Sequence, residues 1–244
     1  VMIAGWHAEI QAHPHHIVVR TPSNPSYHWG NFLIFDAPPD AASFERWQAT
    51  FAAEIASKQE THHVLLAWDG TRPELGDVSA FLEAGFVLEY GTTLTAQALH
   101  APARPHPHAE VRALRSDDDW AQATENQILC REERFTEESY RVFKVAQMRN
   151  YRMLSAQGHG AWYGAFVDGK LVADLGIYHQ GDIARYQNVG THPDFRRQGL
   201  CGTLVYQAGR DVLDRTEVTH LVMVAETESS PSRIYQSVGF SPTE

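Results

Sequence analysis

Residues 194–204 read DFRRQGLCGTL: Arg196 and Arg197 lead through Gln198 into Gly199, and Gly202 follows Leu200 and Cys201. Apolar residues at helical spacing, Leu204, Val205, Ala208 and Val212, come directly after. A loop that enters a helix aims several unpaired backbone N–H groups at one point, and the helix dipole adds partial positive charge there. Gly199 removes a Cβ that would hold a ligand off the backbone, Gly202 opens the first turn, and either arginine adds charge-assisted hydrogen bonds. Phosphate matches this pattern best; the plainer reading is a strand-to-helix turn with exposed arginines. The spacing is neither the G-x-x-x-x-G-K-[ST] of a triphosphate loop nor the G-x-G-x-x-G of a dinucleotide fold. Cys201, at a helix start beside arginines, raises the question of a thiolate nucleophile. It has no histidine next to it in sequence, so a small packing residue is the simpler expectation. His13, His15, His16, His62, His63, His106 and His108 cluster, but with neither zinc-finger nor His-Glu-x-x-His spacing, and no metal site is expected.

The loop must be held by the elements around it. Before it, AWYGAFVDGKLVADLGIY places Asp168-Gly169 between two apolar runs, a hairpin signal, and Gln180-Gly181-Asp182 turns the chain into IARYQNVGTH. This predicts an antiparallel meander. After it come the helix, the apolar run HLVMVA as a strand covered on both sides, and SPSRIYQSVGF as a short helix with Ser230 as its cap before Pro231. EVRALRS predicts a strand, and helices are predicted around Trp120 to Cys130 and Glu137 to Leu154. The chain stops five residues after Gly239, which leaves no room for a full final hairpin. Earlier, GNFLIFDAPP reads as a strand, and Phe44, Trp47, Phe51 and Ile55 mark a helix with one buried face. HHVLLAWDG closed by Asp69-Gly70, DVSAFLEAGF ending at Gly85, and VLEYGTTLTA then read as strand, helix and strand. HAPARPHPHAE, with three prolines, interrupts both patterns. The expected organisation is a domain over residues 1–100, a linker over 101–109 and a second domain over 110–244.

Totals narrow the function. Lys plus Arg number 20 against 30 Asp plus Glu, a net charge of −10, which opposes binding along a nucleic-acid backbone. Two distant cysteines give no disulfide framework and suit a reducing compartment, so the cytoplasm is expected. No apolar run reaches the roughly 18 to 20 residues of a membrane span, and no export signal opens the chain. Neither nucleic acid nor membrane is an expected partner.

The meander, the loop and the IYQSVGF helix, in this order, resemble the GNAT superfamily of acetyl-coenzyme A dependent N-acetyltransferases. That family's pyrophosphate loop, Q/R-x-x-G-x-G/A, maps onto Arg196, Arg197, Gln198, Gly199, Leu200 and Cys201, with Gly202 and Thr203 continuing the segment; Cys201 departs from the small residue usual there. The resemblance covers Val111 to Glu244. It implies an α/β fold of the α+β kind, a mixed, mostly antiparallel sheet flanked by helices. It also implies that the strand YQNVGTHP splays from its neighbour so that Val189, Gly190 and Thr191 line the pantetheine arm. Tyr235 stands where the family's tyrosine often protonates the departing thiolate. Glu228 replaces an Asn frequent seven residues earlier, and Pro231 a common Ala.

Acetyl transfer to an amine needs a deprotonated nucleophile, donors for the oxyanion and an acid near the sulfur. Tyr235 suits the acid, since a phenol with a pKa of about 10 can donate to a thiolate. Glu226, at the end of the apolar strand, is the candidate base, acting through water; a solvated strand-end charge is its plain alternative. His192 and Asp174 are weaker candidates, the latter because strand alternation leaves its direction open. The implied activity is acetyl-coenzyme A dependent transfer to a primary amine of a small molecule or peptide, without a metal. A catalytically silent acyl-coenzyme A sensor or assembly module is the rival.

FLEAGFVLE echoes YQSVGFSPTE, and the element order around it echoes the later half of the second domain, which suggests a tandem arrangement. The first copy has DAPPDAASF where the phosphate loop would be, and Phe81 in place of Tyr235, so it is expected to be degenerate and to bind no cofactor. It would wall off part of the acceptor cleft, and it or a second copy of the chain in a homodimer would cover an open sheet edge.

Overall fold

Pro14 turns the chain rather than ending its structure. In a computed structural model, which describes residues 2–68, 74–227 and 229–243, the main chain of His13 donates to the carbonyl of His16 (2.8 Å) and closes a hairpin of β1 (Glu9–Ala12) and β2 (His16–Arg20). β3 (Phe32–Phe35) pairs antiparallel with β2. A return to the same sheet in parallel requires a crossover. α1 (Ser43–Phe51) and a π-helical turn (Ala52–Ala56) provide it and lead to β4 (Leu66–Trp68) beside β3. α2 (Ser79–Glu83) follows. The sheet order is β1-β2-β3-β4. The apolar face read from Phe44, Trp47, Phe51 and Ile55 is the one that packs: Trp47 stacks on Phe35 with ring centroids 3.9 Å apart, and Phe51, Ile55 and Phe81 complete the core. Asp69-Gly70, expected to close β4, lies outside the described residues.

The second unit begins with β5 (Gly91–Ala96) and β6 (Glu110–Ala113), then α3 (Asp117–Leu129) and α4 (Glu137–Ala156). β7 (Gly160–Val167), β8 (Lys170–Gln180) and β9 (Ile183–Thr191) form the meander. α5 (Leu200–Arg215), β10 (His220–Glu226), α6 (Ser230–Ser237) and β11 (Ser241–Pro242) end it. The seven strands are ordered β11-β5-β10-β9-β8-β7-β6, every pair antiparallel except β9 with β10. This is the mixed, mostly antiparallel, helix-flanked sheet expected. Alternation along β8 divides its side chains between two layers. Ala173, Leu175 and Ile177 join the core with Leu204, Val205 and Ala208 of α5, while Asp174 meets α3 and Tyr178 stacks on Tyr151 of α4.

The start of α3 ties this second layer to the sheet. The Ser116 hydroxyl accepts from the Asp119 N–H (3.0 Å), and the Asp119 carboxylate accepts from the main chain of Ser116 (3.2 Å) and Arg115 (2.8 Å). Arg112 of β6 then meets both carboxylate oxygens at 2.8 Å. The Arg112 hydrogen bonds hold the Asp119 carboxyl well below the usual carboxylate range. For α6 the cap is Ser229, one residue before the Ser230 expected, and its hydroxyl accepts from the Ser232 N–H.

The expected domain limits are corrected. The chain divides into Val1–Glu89 and Tyr90–Glu244, not at residue 100. β5, assigned by sequence to the first part, pairs with β10 over six residue pairs, from Leu221↔Ala96 to Glu226↔Gly91. It takes the sheet edge for which the sequence offered no strand, and β11 pairs on its far side. Residues 101–109 are likewise no free linker: the His100 N–H donates to the Val238 carbonyl (2.9 Å) and the His106 N–H to the Thr203 hydroxyl (2.9 Å). A fragment starting at Tyr90 should therefore unfold cooperatively in urea. One starting at Ala101 should be weaker by at least about 3 kcal/mol, since it loses a fully buried Leu94 along with the strand; equal midpoints would contradict the assignment.

Candidate functional site

β9 and β10 stay paired for only three positions, His220↔Ile183, Leu221↔Ala184 and Val222↔Arg185. Beyond them each strand keeps its other neighbour: β9 continues along β8 to Thr191, and β10 along β5 to Glu226. The two therefore part, and a cavity of about 300 Å³ opens between them. Tyr186, Val189 and Met223 form apolar wall; Asn188, Glu226 and Tyr235 are among its polar groups, and among the described residues no Lys, Arg or His lines it. The register between β8 and β9 slips by one residue between Asp174↔Gly190 and Gly176↔Gln187, and Asn188 in this bulge takes a left-handed φ of 46°.

The loop after β9 reaches α5 through Pro193–Phe195, a 3-10 turn. Arg197 and Gly199 both take positive φ, 61° and 82°. Among the described residues no side chain caps α5; its first backbone bond runs from the Thr203 N–H to the Gly199 carbonyl. The amides of the first turn are therefore the uncapped donors an anion would use. Arg196, Arg197 and Gln198 are exposed, with the Arg196 Nε donating to the Thr191 carbonyl (3.2 Å) and Gln198 to the Asp194 carbonyl (3.3 Å). The need for glycine at 199 has a different cause from the one the sequence suggested: a Cβ there would lie 2.2 Å from the Arg104 carbonyl oxygen. The Thr203 hydroxyl bridges the Gly199 carbonyl and the His106 N–H.

Of the sequence-predicted residues, the structure brings Val189, Glu226 and Tyr235 to one cavity. Gly190 turns instead toward Gln127, Asp174 and Cys130, and the Thr191 carbonyl accepts from the Cys130 thiol (3.3 Å) and Arg196. Tyr235 is buried, and burial pushes its phenol far above the usual tyrosine range, so it stays protonated at any working pH. Glu226 is exposed at the strand end. Burial pushes the Cys201 thiol up to about 12, which removes the thiolate an acyl-enzyme would need. His192 does not line the cavity; its Nδ1 accepts from the Asp194 N–H (3.3 Å). Glu228 lies outside the described residues.

Asp174 faces away from the cavity into a buried polar set that sequence reasoning missed. Its Oδ1 accepts from Gln127 (2.6 Å) and Asn126 (3.2 Å), and Lys144 donates to Gln147 (2.7 Å) and Gln127 (3.4 Å). Burial pushes the Asp174 carboxyl up to about 7 and the Lys144 amine down to about 8. On helices these residue types read as a solvated face; only their packing against β8 marks them.

Comparison with known proteins agrees with this geometry. Residues 120–240 match the sequence model of the Acetyltransferase (GNAT) family. No curated protein matches the sequence. Among solved structures, a functionally unknown conserved protein from Staphylococcus epidermidis shares the fold with a TM-score of 0.69 and 14% identity, over 95% of this chain and 88% of that one. A GCN5-related N-acetyltransferase from Kribbella flavida gives 0.65 and 15%, over 99% and 88%. A tandem GNAT protein from the clavulanic acid biosynthesis pathway gives 0.55 and 17%, over 97% and 80%.

The raised Asp174 pKa makes a stability prediction. Between its unfolded value of about 3.9 and about 7, the native carboxyl holds a proton that the unfolded one has released. Its contribution is therefore favourable at low pH and is lost as pH rises through this window. Urea titrations from pH 4 to 8 should show the wild type losing stability relative to Asp174→Asn, and parallel curves would refute the burial argument.

Proposed function

We propose that this chain, whose residues 120–240 are a domain of the GNAT acetyltransferase family, is an acetyl-coenzyme A dependent N-acetyltransferase with its one cofactor site between β9 and β10. The observation that carries the reading is the early end of the β9–β10 pairing, which leaves main-chain donors and acceptors on both sides of the cavity. An extended polyamide arm is the kind of ligand that satisfies them. The residues present fit coenzyme A: the uncapped first turn of α5, with Arg196 and Arg197, would hold its diphosphate, and Val189 to Thr191 its arm. Acetyl-coenzyme A, when bound, supplies an activated thioester carbonyl.

The chain's own groups supply the proton transfers. Tyr235 lines the cavity and donates a hydrogen bond toward the position of the departing sulfur; burial makes it a weaker acid than a free phenol, so it stabilises the thiolate more than it protonates it. Glu226 takes the proton of the amine, through water given its exposure. A cavity that carries Glu226 and Asn188 and no cationic side chain among the described residues favours a cationic primary amine, on a small molecule or a peptide. Two free thiols, and no helix among the described residues long and apolar enough to cross a membrane, are compatible with work in the cytoplasm.

The first unit repeats the strand pairing of the second: two antiparallel pairs and then a parallel one across a helix, in β1-β2-β3-β4 as in β7-β8-β9-β10. At its helix start Asp40 stands where the active copy has its arginines, accepting from the Ala42 N–H (3.0 Å) and the Ser43 hydroxyl (2.7 Å). A carboxylate there repels phosphate, and Phe81 is a core residue. We read this copy as silent.

Calorimetry of coenzyme A binding and thiol release over a panel of amines test the proposal together. The wild type should bind and turn over at least one cationic amine, and Arg196→Glu with Arg197→Glu should abolish the binding. Tyr235→Phe should bind normally but lose about 10²-fold in kcat. Binding without turnover of any amine would support a silent sensor instead, and no heat at millimolar coenzyme A would remove both.

A further inference from the structure

Lys144 sits at the centre of the buried polar set on the α3–α4 side of β8, and its ammonium can only donate. It donates to Gln147 Oε1 and Gln127 Oε1, which fixes the oxygen end of both carboxamides. Gln127 must then turn its Nε2 outward, where it donates to Asp174 Oδ1 (2.6 Å) and to the main-chain carbonyl of Asn188 (2.7 Å). Gln147, with its oxygen already set as an acceptor, receives a second hydrogen bond from Asn188 Nδ2 (3.0 Å). One lysine thus orients two carboxamides directly and, through Gln147, a third. The last of them belongs to the bulge residue that lines the cavity, held at φ 46° with its carbonyl clamped. With Nδ2 turned inward to Gln147, the end of the Asn188 side chain left for the cavity is Oδ1, an acceptor.

We propose that Asn188 Oδ1 accepts a hydrogen bond from the nucleophilic amine of the acceptor substrate, and that Lys144 is the positioning residue that sets the polarity of the amide series behind it. This rests on the transferase reading. It assigns acceptor recognition to a neutral oxygen inside the cavity, separate from the Glu226 carboxylate at its rim.

Steady-state kinetics with the full chain, acetyl-coenzyme A and a cationic amine that the wild type turns over provide the test. Asn188→Gly keeps the left-handed backbone and removes the carboxamide. It should raise the KM for the amine about 10- to 100-fold, the loss of one hydrogen bond to a charged group, while coenzyme A binding by calorimetry stays within twofold. Asn188→Asp restores an acceptor oxygen and should hold the amine KM at or below the wild-type value. Lys144→Met should raise the amine KM in the same direction as Asn188→Gly, again with coenzyme A binding retained. A merely structural role would weaken amine and coenzyme A together in all three variants, and that result overturns the assignment. So does an amine KM within twofold of wild type in Asn188→Gly, or, should that variant not fold, an amine KM raised tenfold in Asn188→Asp. A wild type that binds coenzyme A and acetylates no amine removes the transferase reading itself, and this inference with it.

Discussion

Two strands that share a sheet yet follow different neighbours govern the rest of the second unit. β9 is committed to β8 through the bulge at Asn188, and β10 to β5 through six pairs, so the parallel contact between them lasts three pairs and fails. Unpaired backbone groups inside a protein are costly unless something satisfies them. In the function proposed above, the freed edges are where a ligand with amides at strand spacing would pair. β5 matters as much as the strands lining the cavity, because without it β10 has no second partner to draw it aside.

Behind that cleft the protein keeps a lysine and an aspartate out of water. Taking both charges into the interior is unfavourable in itself, as the opposed shifts of Asp174 and Lys144 record. Gln127 bridges the two groups, Asn126 adds a second donor to Asp174, and Gln127 and Gln147 extend the set to the bulge at Asn188. A chain of oriented amides gives a bulge residue one orientation where apolar packing would leave several. The same layer is anchored at its edge by the paired Arg112 and Asp119, which place the first turn of α3 on β6.

Much of this was legible in the residues, and the gaps have physical causes. The Asp168-Gly169 turn, the amphipathic α5 and the loop between them are local signals, each decided within a few residues. The partner of β5 lies about 130 positions away along the chain, and nothing in GTTLTA records it, so its domain was misread. Pro14 and the surrounding histidines hid the β1–β2 hairpin, since their types argue against a strand even where their backbone serves as its turn. Tyr235 was named from its place before the Gly-Phe pair, Glu226 from the end of the apolar strand and Val189 from the strand before the loop, and the three meet at one cavity. Lys144, Gln127 and Gln147 were not, because helical polar residues look alike until a buried strand is set against them. Gly199 was singled out as making room for a ligand, whereas the structure shows its missing side chain making room for the Arg104 carbonyl.

Backbone amide hydrogen exchange with and without coenzyme A tests the central claim most directly. Coenzyme A should slow exchange at two separated places at once, Val189 to Thr191 on the freed edge of β9 and Gly199 to Gly202 at the start of α5, with β1 to β4 unchanged. Slowed exchange confined to the first unit, or none at either place under saturating ligand, would contradict it.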